Sequence, residues 1–277
     1  MSGALRVGRL CAKVGMSRQN YYKVWQERQR RTVDSGLIEQ LVRAERAVQP
    51  RLGGRKLLHM LSPKLAVAGI KLGRDKFFAV LRGQGLLLDR LPSIPKTTNS
   101  RHSLPVFHNL VKGLEVSAPN QAWAADITYI RTAEGFLYLS LLMDMWSRKI
   151  VGYHAGDTLE SEGVVRALDM ALAELPQGVF PIHHADRGCQ YCSHLYVARL
   201  TARGLAVSMT EEMHCYENAR AERLNGILKQ EYALGCAFRN KQQALAAIAE
   251  AVFLYNTKRP HLALHYETPA KMHSRVA

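Results

Sequence analysis

Three carboxylates stand where a folded chain tolerates them least. Asp126 interrupts the apolar run "AWAADITYI" (122–130), Asp186 ends "VFPIHHAD" (179–186), and Glu222 lies within "ENARAERLNGILKQEY" (217–232). A carboxylate on an apolar strand is costly unless it is paired, hydrogen-bonded or bound to a cation. Hard oxygen ligands from three elements can converge on Mg²⁺, which accepts few protein carboxylates and keeps positions open for phosphate and water. Singly, each acid reads as a salt-bridge or capping residue; together they make the stronger case. A competing chemistry overlaps them in "HHADRGCQYCSHLY" (183–196), where His183, His184, Cys189, Cys192 and His194 look like zinc ligands. Zinc needs four groups held by an orienting second shell, and adjacent His183 and His184 point to opposite faces of a strand, which weighs against it.

The elements that must position these groups follow from periodicity. Apolar strands are predicted at 122–130, 136–145 and 149–155 as a meander, then a helix at 160–175, a strand at 179–186, a helix at 193–203, a strand at 205–210 and a helix at 218–232. That order predicts an α/β domain with a mixed sheet and helices packed on it. On the last helix Leu224, Ile227 and Leu228 form the buried side, while Asn218, Glu222, Asn225 and Lys229 form a polar stripe. Glu211, Glu212, Glu217 and Glu231 rival Glu222 as the third acid, but Glu231 is turned about 180° around the helix from it.

Charge separates the chain into two parts. Residues 1–120 hold 22 Lys and Arg against 7 Asp and Glu, which accounts for the whole net charge of +15. A polyanion partner for the first part follows, because Lys and Arg displace condensed counterions from nucleic acid. "VGRLCAKVGMSRQNYYKVW" (7–25) reads as a helix, a break at Gly15 and a second helix capped by Ser17, presenting Arg18, Gln19, Tyr21, Tyr22 and Lys23. A helix at 35–47 follows, and then a second helix-turn-helix candidate, with "RLGGRKLLHML" (51–61) placing Arg55 and Lys56 at a helix start. The bland alternative for each motif is a small helical bundle with a solvated basic face. Residues 91–117 have linker composition, giving expected boundaries of 1–90 (helical DNA-binding region), 91–117 (linker), 118–235 (catalytic core) and 236–277 (C-terminal helix and tail). The five cysteines are irregularly spaced and the first ten residues lack a signal-peptide core, so a reduced cytoplasmic protein without a membrane span is expected.

Asp186 and Glu222 are separated by 35 residues, with Asp126 sixty positions upstream of Asp186. With "WAADITYI", "DMWSRKIVGY", "HADRGCQY", "ENARAERLNGILKQE" and "YNTKRPHLALHYETPAKM", the chain closely resembles the second-frame (OrfB-type) transposase of the insertion-sequence three family, which has a retroviral-integrase-like D-D-E core. That resemblance implies a ribonuclease H-like fold and a DDE-type transposase that cleaves and joins DNA at its element's ends. It implies two Mg²⁺ ions, or Mn²⁺ in their place, on Asp126, Asp186 and Glu222, with phosphate contacts from Lys229 and Arg259. It implies double-stranded DNA as partner, a homo-oligomer on that DNA, an upstream-frame (OrfA-type) protein or fusion, and a bacterial, nucleoid-associated setting. Cys189 and Cys192 then occupy places where the family has small polar residues, and Asp144 with Arg148 belongs to a structural Asp-x-x-Ser-Arg turn. The alternatives are a structure-selective nuclease with the same core and a non-catalytic DNA-binding regulator of transposition.

Overall fold

The computed structural model describes residues 7–89, 104–211 and 218–275. Residues 91–103 of the expected linker, with the rival acids Glu212 and Glu217, lie outside the described residues. The chain divides into two compact units, one of residues 1–48 and 52–89, the other of residues 49–51 and 90–277.

The first unit is helical. Helix α1 (Val7–Lys13) ends at a turn whose Gly15 has φ +65°, a conformation open to glycine without a Cβ penalty. Ser17 caps α2 by accepting from the Asn20 amide at 3.1 Å. Helix α2 then runs from Arg18 to Val48, so the two helices expected over 18–23 and 35–47 are one helix of 31 residues. Nothing between them breaks it: Gly36 is tolerated, and the Glu39–Arg43 pair (2.8 Å) supports the exposed side. Its second half is the half that packs. Ile38 and Val42 meet Leu57, Leu61 and Leu65 of α3 (Gly54–Val67) and Phe77 and Leu81 of α4 (Arg74–Gly83).

The second unit is a five-stranded mixed sheet. Strands β1 (Ala122–Thr132), β2 (Gly135–Asp144) and β3 (Ile150–Gly156) form the expected antiparallel meander, and β4 (Ile182–Ala185) and β5 (Val207–Met209) add parallel to β1 in the order β3-β2-β1-β4-β5. β4 is shorter than 179–186 because Pro181 cannot donate to the ladder; the first β4 amide to do so is Ile182, to Gln121 O at 2.9 Å. One sheet face is covered by α5 (Ser161–Ala173) and α6 (His194–Ala202), which bury Trp123, Ala125, Leu142 and Val151. Gly152 makes α5 fit, since a Cβ there would stand 2.2 Å from Ala167 O. The other face packs Leu139, Leu141 and Met143 against α7 (Ala219–Glu231) and α8 (Lys241–Thr257), and the short α9 (Pro269–His273) follows. This is the ribonuclease H-like α/β architecture.

Candidate active site

The parallel β1–β4 register pairs Ala122 with Ile182, Trp123 with His183 and Ala124 with His184. Carried two residues further, the same sixty-residue offset sets Asp126 level with Asp186, and the two-residue period of a strand puts both on one face. That face is the one beneath α7. Asn218 Nδ2 donates to Ala125 O at 3.0 Å and Asn225 Nδ2 donates to Asp126 Oδ2 at 2.7 Å, so the polar stripe of α7 lies along β1 with Glu222 between these two anchors.

The acids act on one another electrostatically. Burial, then the negative charge of Asp186, pushes the Asp126 carboxyl up to about 7; Glu222 adds to the rise, while the Ile127 amide (2.9 Å to Oδ1) and Asn225 oppose it. Burial draws the Lys229 ammonium below its ordinary value, against the pull of Asp126 and with the repulsion of Arg131. Asp186 is held at the strand end by the Gly188 amide, which donates to its Oδ1 at 3.0 Å. Arg187 turns away, donating from Nε to Thr210 O at 2.6 Å.

The residues fit hard divalent cations in donor type and mutual repulsion, which an ion between them would relieve. Among the described residues, however, no group of three or more His, Cys, Asp or Glu closes around one point as a formed metal site does. The three acids are neighbours, not a cage.

The zinc candidates go to other work. His183 faces the α6 side, where its Nε2 meets the Tyr196 hydroxyl at 2.7 Å and burial pushes its pKa down to about 3. His184 faces the other side, its Nδ1 2.9 Å from Ser208 Oγ. The Cys192 thiol is buried against Met209 Sδ at 3.6 Å, while Cys189 is exposed.

Arg259 requires a correction. It is 3 % exposed, and both arms of its guanidinium are given to Glu231, Nε to Oε2 and Nη2 to Oε1, each at 2.8 Å. A guanidinium so enclosed does not meet a DNA phosphate. The same pair removes Glu231 from candidacy as a ligand, and Glu211 accepts instead from the Asn109 amide at 3.0 Å. No sequence signal marked the Glu231–Arg259 pair, because its members lie 28 residues apart on different elements. The clamp of Asn225 on Asp126 was legible only as a position in the helical stripe. In the helical unit Arg18, Gln19, Tyr22 and Lys23 are exposed at the start of α2, with Tyr21 half-buried against Tyr22; Arg55 and half-buried Lys56 occupy the first turn of α3.

Family models described as integrase core domains match residues 116–215 and 203–269. An uncharacterized 31 kDa protein of insertion element IS600 from Shigella sonnei is 35% identical over 266 residues, spanning 94% of this chain and 96% of that protein. The InsF transposase of insertion sequence IS3fB from Escherichia coli strain K12 is 32% identical over 254 residues, or 91% and 88% of the two chains. Among solved structures, the simian T-cell lymphotropic virus intasome in complex with the PP2A regulatory subunit B56 gamma aligns with TM-score 0.50 at 18% identity, over 80% of this chain and 74% of that one, a likeness of fold alone.

Proposed function

Because the chain belongs to the IS3 family of insertion-sequence transposases, enzymes of the polynucleotidyl transferase class, we propose that Asp126, Asp186 and Glu222 are its catalytic residues and hold two Mg²⁺ ions. Ions bound there supply Lewis acidity, lowering the pKa of water and stabilising the attacking and leaving oxygens of an in-line displacement. The chemistry is two successive displacements at phosphorus: water attacks a phosphodiester at the element end and expels its 3′-oxygen as a hydroxyl, and that hydroxyl attacks a second phosphodiester, joining to its phosphorus and expelling that strand's 3′-oxygen. The protein provides no covalent nucleophile. Asn225 and the Ile127 amide fix the Asp126 carboxylate, the Gly188 amide fixes Asp186, and Lys229 neutralises a phosphate oxygen beside them.

The observation that carries this reading is the sixty-residue register of β1 and β4 with the α7 stripe laid over it. DNA engagement is assigned to the basic helical region (1–90), through Arg18, Gln19, Tyr21, Tyr22, Lys23, Arg55 and Lys56, with 91–117 as linker, 118–235 as core and 236–277 as C-terminal segment. The active species is a homo-oligomer on double-stranded DNA, acting in the cytoplasm on the nucleoid, alone or with an upstream-frame protein. No helix among the described residues is long and apolar enough to cross a membrane.

Incubation with element ends and Mg²⁺, with and without an upstream-frame fusion, tests the proposal. Cleavage followed by joining is expected. Cleavage without joining would mean a nuclease, and binding without either would mean a regulator with inert acids.

A further inference from the structure

The turn between β2 and β3 carries chemistry that the two displacements do not use. Asp144, completely buried, accepts from the Ser147 amide (2.7 Å), the Ser147 hydroxyl (2.6 Å) and the Asn120 amide (2.7 Å). These bonds lock the turn, and Arg148 is held in the left-handed region at φ +66°, a conformation costly for a side-chain-bearing residue. One arm of the guanidinium on this turn is unsatisfied: the Nη1 of Arg148 is buried and meets no acceptor. A second guanidinium leans on the same turn, because Arg220, in the first turn of α7, donates from Nη1 to Met145 O at 3.3 Å.

Arg148 is held below the ordinary arginine range by burial and then by the positive charge of Arg220, against the attraction of Tyr255. Asp144 attracts Arg148, but its oxygens are committed to the turn, with His273 Nδ1 3.7 Å away. A buried donor without an acceptor is destabilising, and like charges so placed oppose each other. An anion seated against half-buried Arg148 and exposed Arg220 relieves that repulsion. A planar guanidinium fork matches phosphate oxygens in geometry and charge.

We propose that Arg148 and Arg220 form a phosphate clamp for the DNA backbone, beside the carboxylates and built on the β2–β3 turn. It rests on the reading above that this chain works on DNA. The turn joins the start of β1 through the Met145 amide to Ala122 O at 2.9 Å, and Asp126 lies four residues along that strand. At about 3.3 Å per residue Ala122 lies about 13 Å along β1 from Asp126, about four nucleotides of axial rise along one strand, while Arg220 stands two residues before Glu222 on α7. The clamp therefore grips the same duplex beside the bond being cut and sets its register.

The test is binding of element-end duplex by the full chain in Ca²⁺, read without joining, so inert carboxylates leave the result untouched. Arg148→Gln and Arg220→Gln are each expected to weaken binding about tenfold and to lower the slope of log affinity against log salt by about one. In DNA-free protein both are expected to hold or raise Tm, because a frustrated charge is removed. Substituting single phosphates by neutral methylphosphonates should reveal one position that costs the parent about tenfold and costs Arg148→Gln nothing; Arg148→Lys should recover part of the affinity. Unchanged affinity and slope would overturn the clamp, as would weakened binding accompanied by a lower Tm, the signature of arginines that merely support the turn.

Discussion

Asp144 is completely buried and its carboxyl lies below the usual range, whereas Asp126 on the neighbouring strand is more exposed and is pushed up to about 7. Burial alone raises both. At Asp144 it is outweighed by His273, Ser147 and Asn120; at Asp126 the Ile127 amide and Asn225 do not outweigh burial and two neighbouring acids. Exposure therefore does not decide which of the two carboxyls is raised; the supply of donors does. The β2–β3 turn commits its carboxylate to hydrogen bonds within the fold, whereas Asp126 on β1 keeps a raised carboxyl, as the proposed cation site requires.

The largest effects should separate the two regions most sharply. Asp126→Asn and Glu222→Gln are expected to lower strand joining by several orders of magnitude while DNA binding persists, since each removes charge that holds the ions. A Glu222→Gln protein that joins strands like the parent would remove that residue from the mechanism.

Glu231→Gln should act in the opposite way. Helix geometry alone predicts near silence, but the structure gives Glu231 a buried partner, and stranding the Arg259 charge should cost about 3–5 kcal/mol in chemical denaturation. Joining per folded molecule should stay near parent level. Asp144→Asn should cost less, about 1–3 kcal/mol, because the turn's donors lose a charged acceptor while the side-chain shape is kept. A fall in joining beyond the loss of folded protein would show that this turn does more than fold, which bears on the Arg148 clamp.

At the small end, Cys189→Ser with Cys192→Ser should shift stability by about 1 kcal/mol or less and leave joining close to parent, since burial pushes the Cys192 thiol up to about 11 and its neighbour is a methionine sulfur. Stoichiometric zinc lost together with activity in this variant would restore the soft-ligand reading of 183–194.

Much of the core was legible because its signals are local. The meander, the helix at 160–175 and the stripe Asn218–Glu222–Asn225–Lys229 are periodicities, and periodicity survives in a single chain. What depends on a distant partner was not legible. The bond from Asn225 to Asp126 spans 99 residues, Arg259 met Glu231 instead of a phosphate, and nothing local distinguishes a 31-residue helix from two shorter ones across residues 24–34. Spacing named the three acids; only the β1–β4 register brings Asp126 and Asp186 side by side.

The most direct test of the carboxylate reading is the melting temperature of the full chain with and without Mg²⁺ at pH 5 and pH 8. A carboxyl near 7 in the folded protein and 3.8 when unfolded keeps its proton longer in the folded state, so stability falls as pH rises from about 4 to about 7. A divalent ion takes the place of that proton, and its stabilisation grows across the same window. The parent should gain Tm from Mg²⁺ at pH 8 and little at pH 5, and Asp126→Asn should gain at neither. An equal gain in Asp126→Asn, or none in the parent at pH 8, would contradict a cation site at these carboxylates.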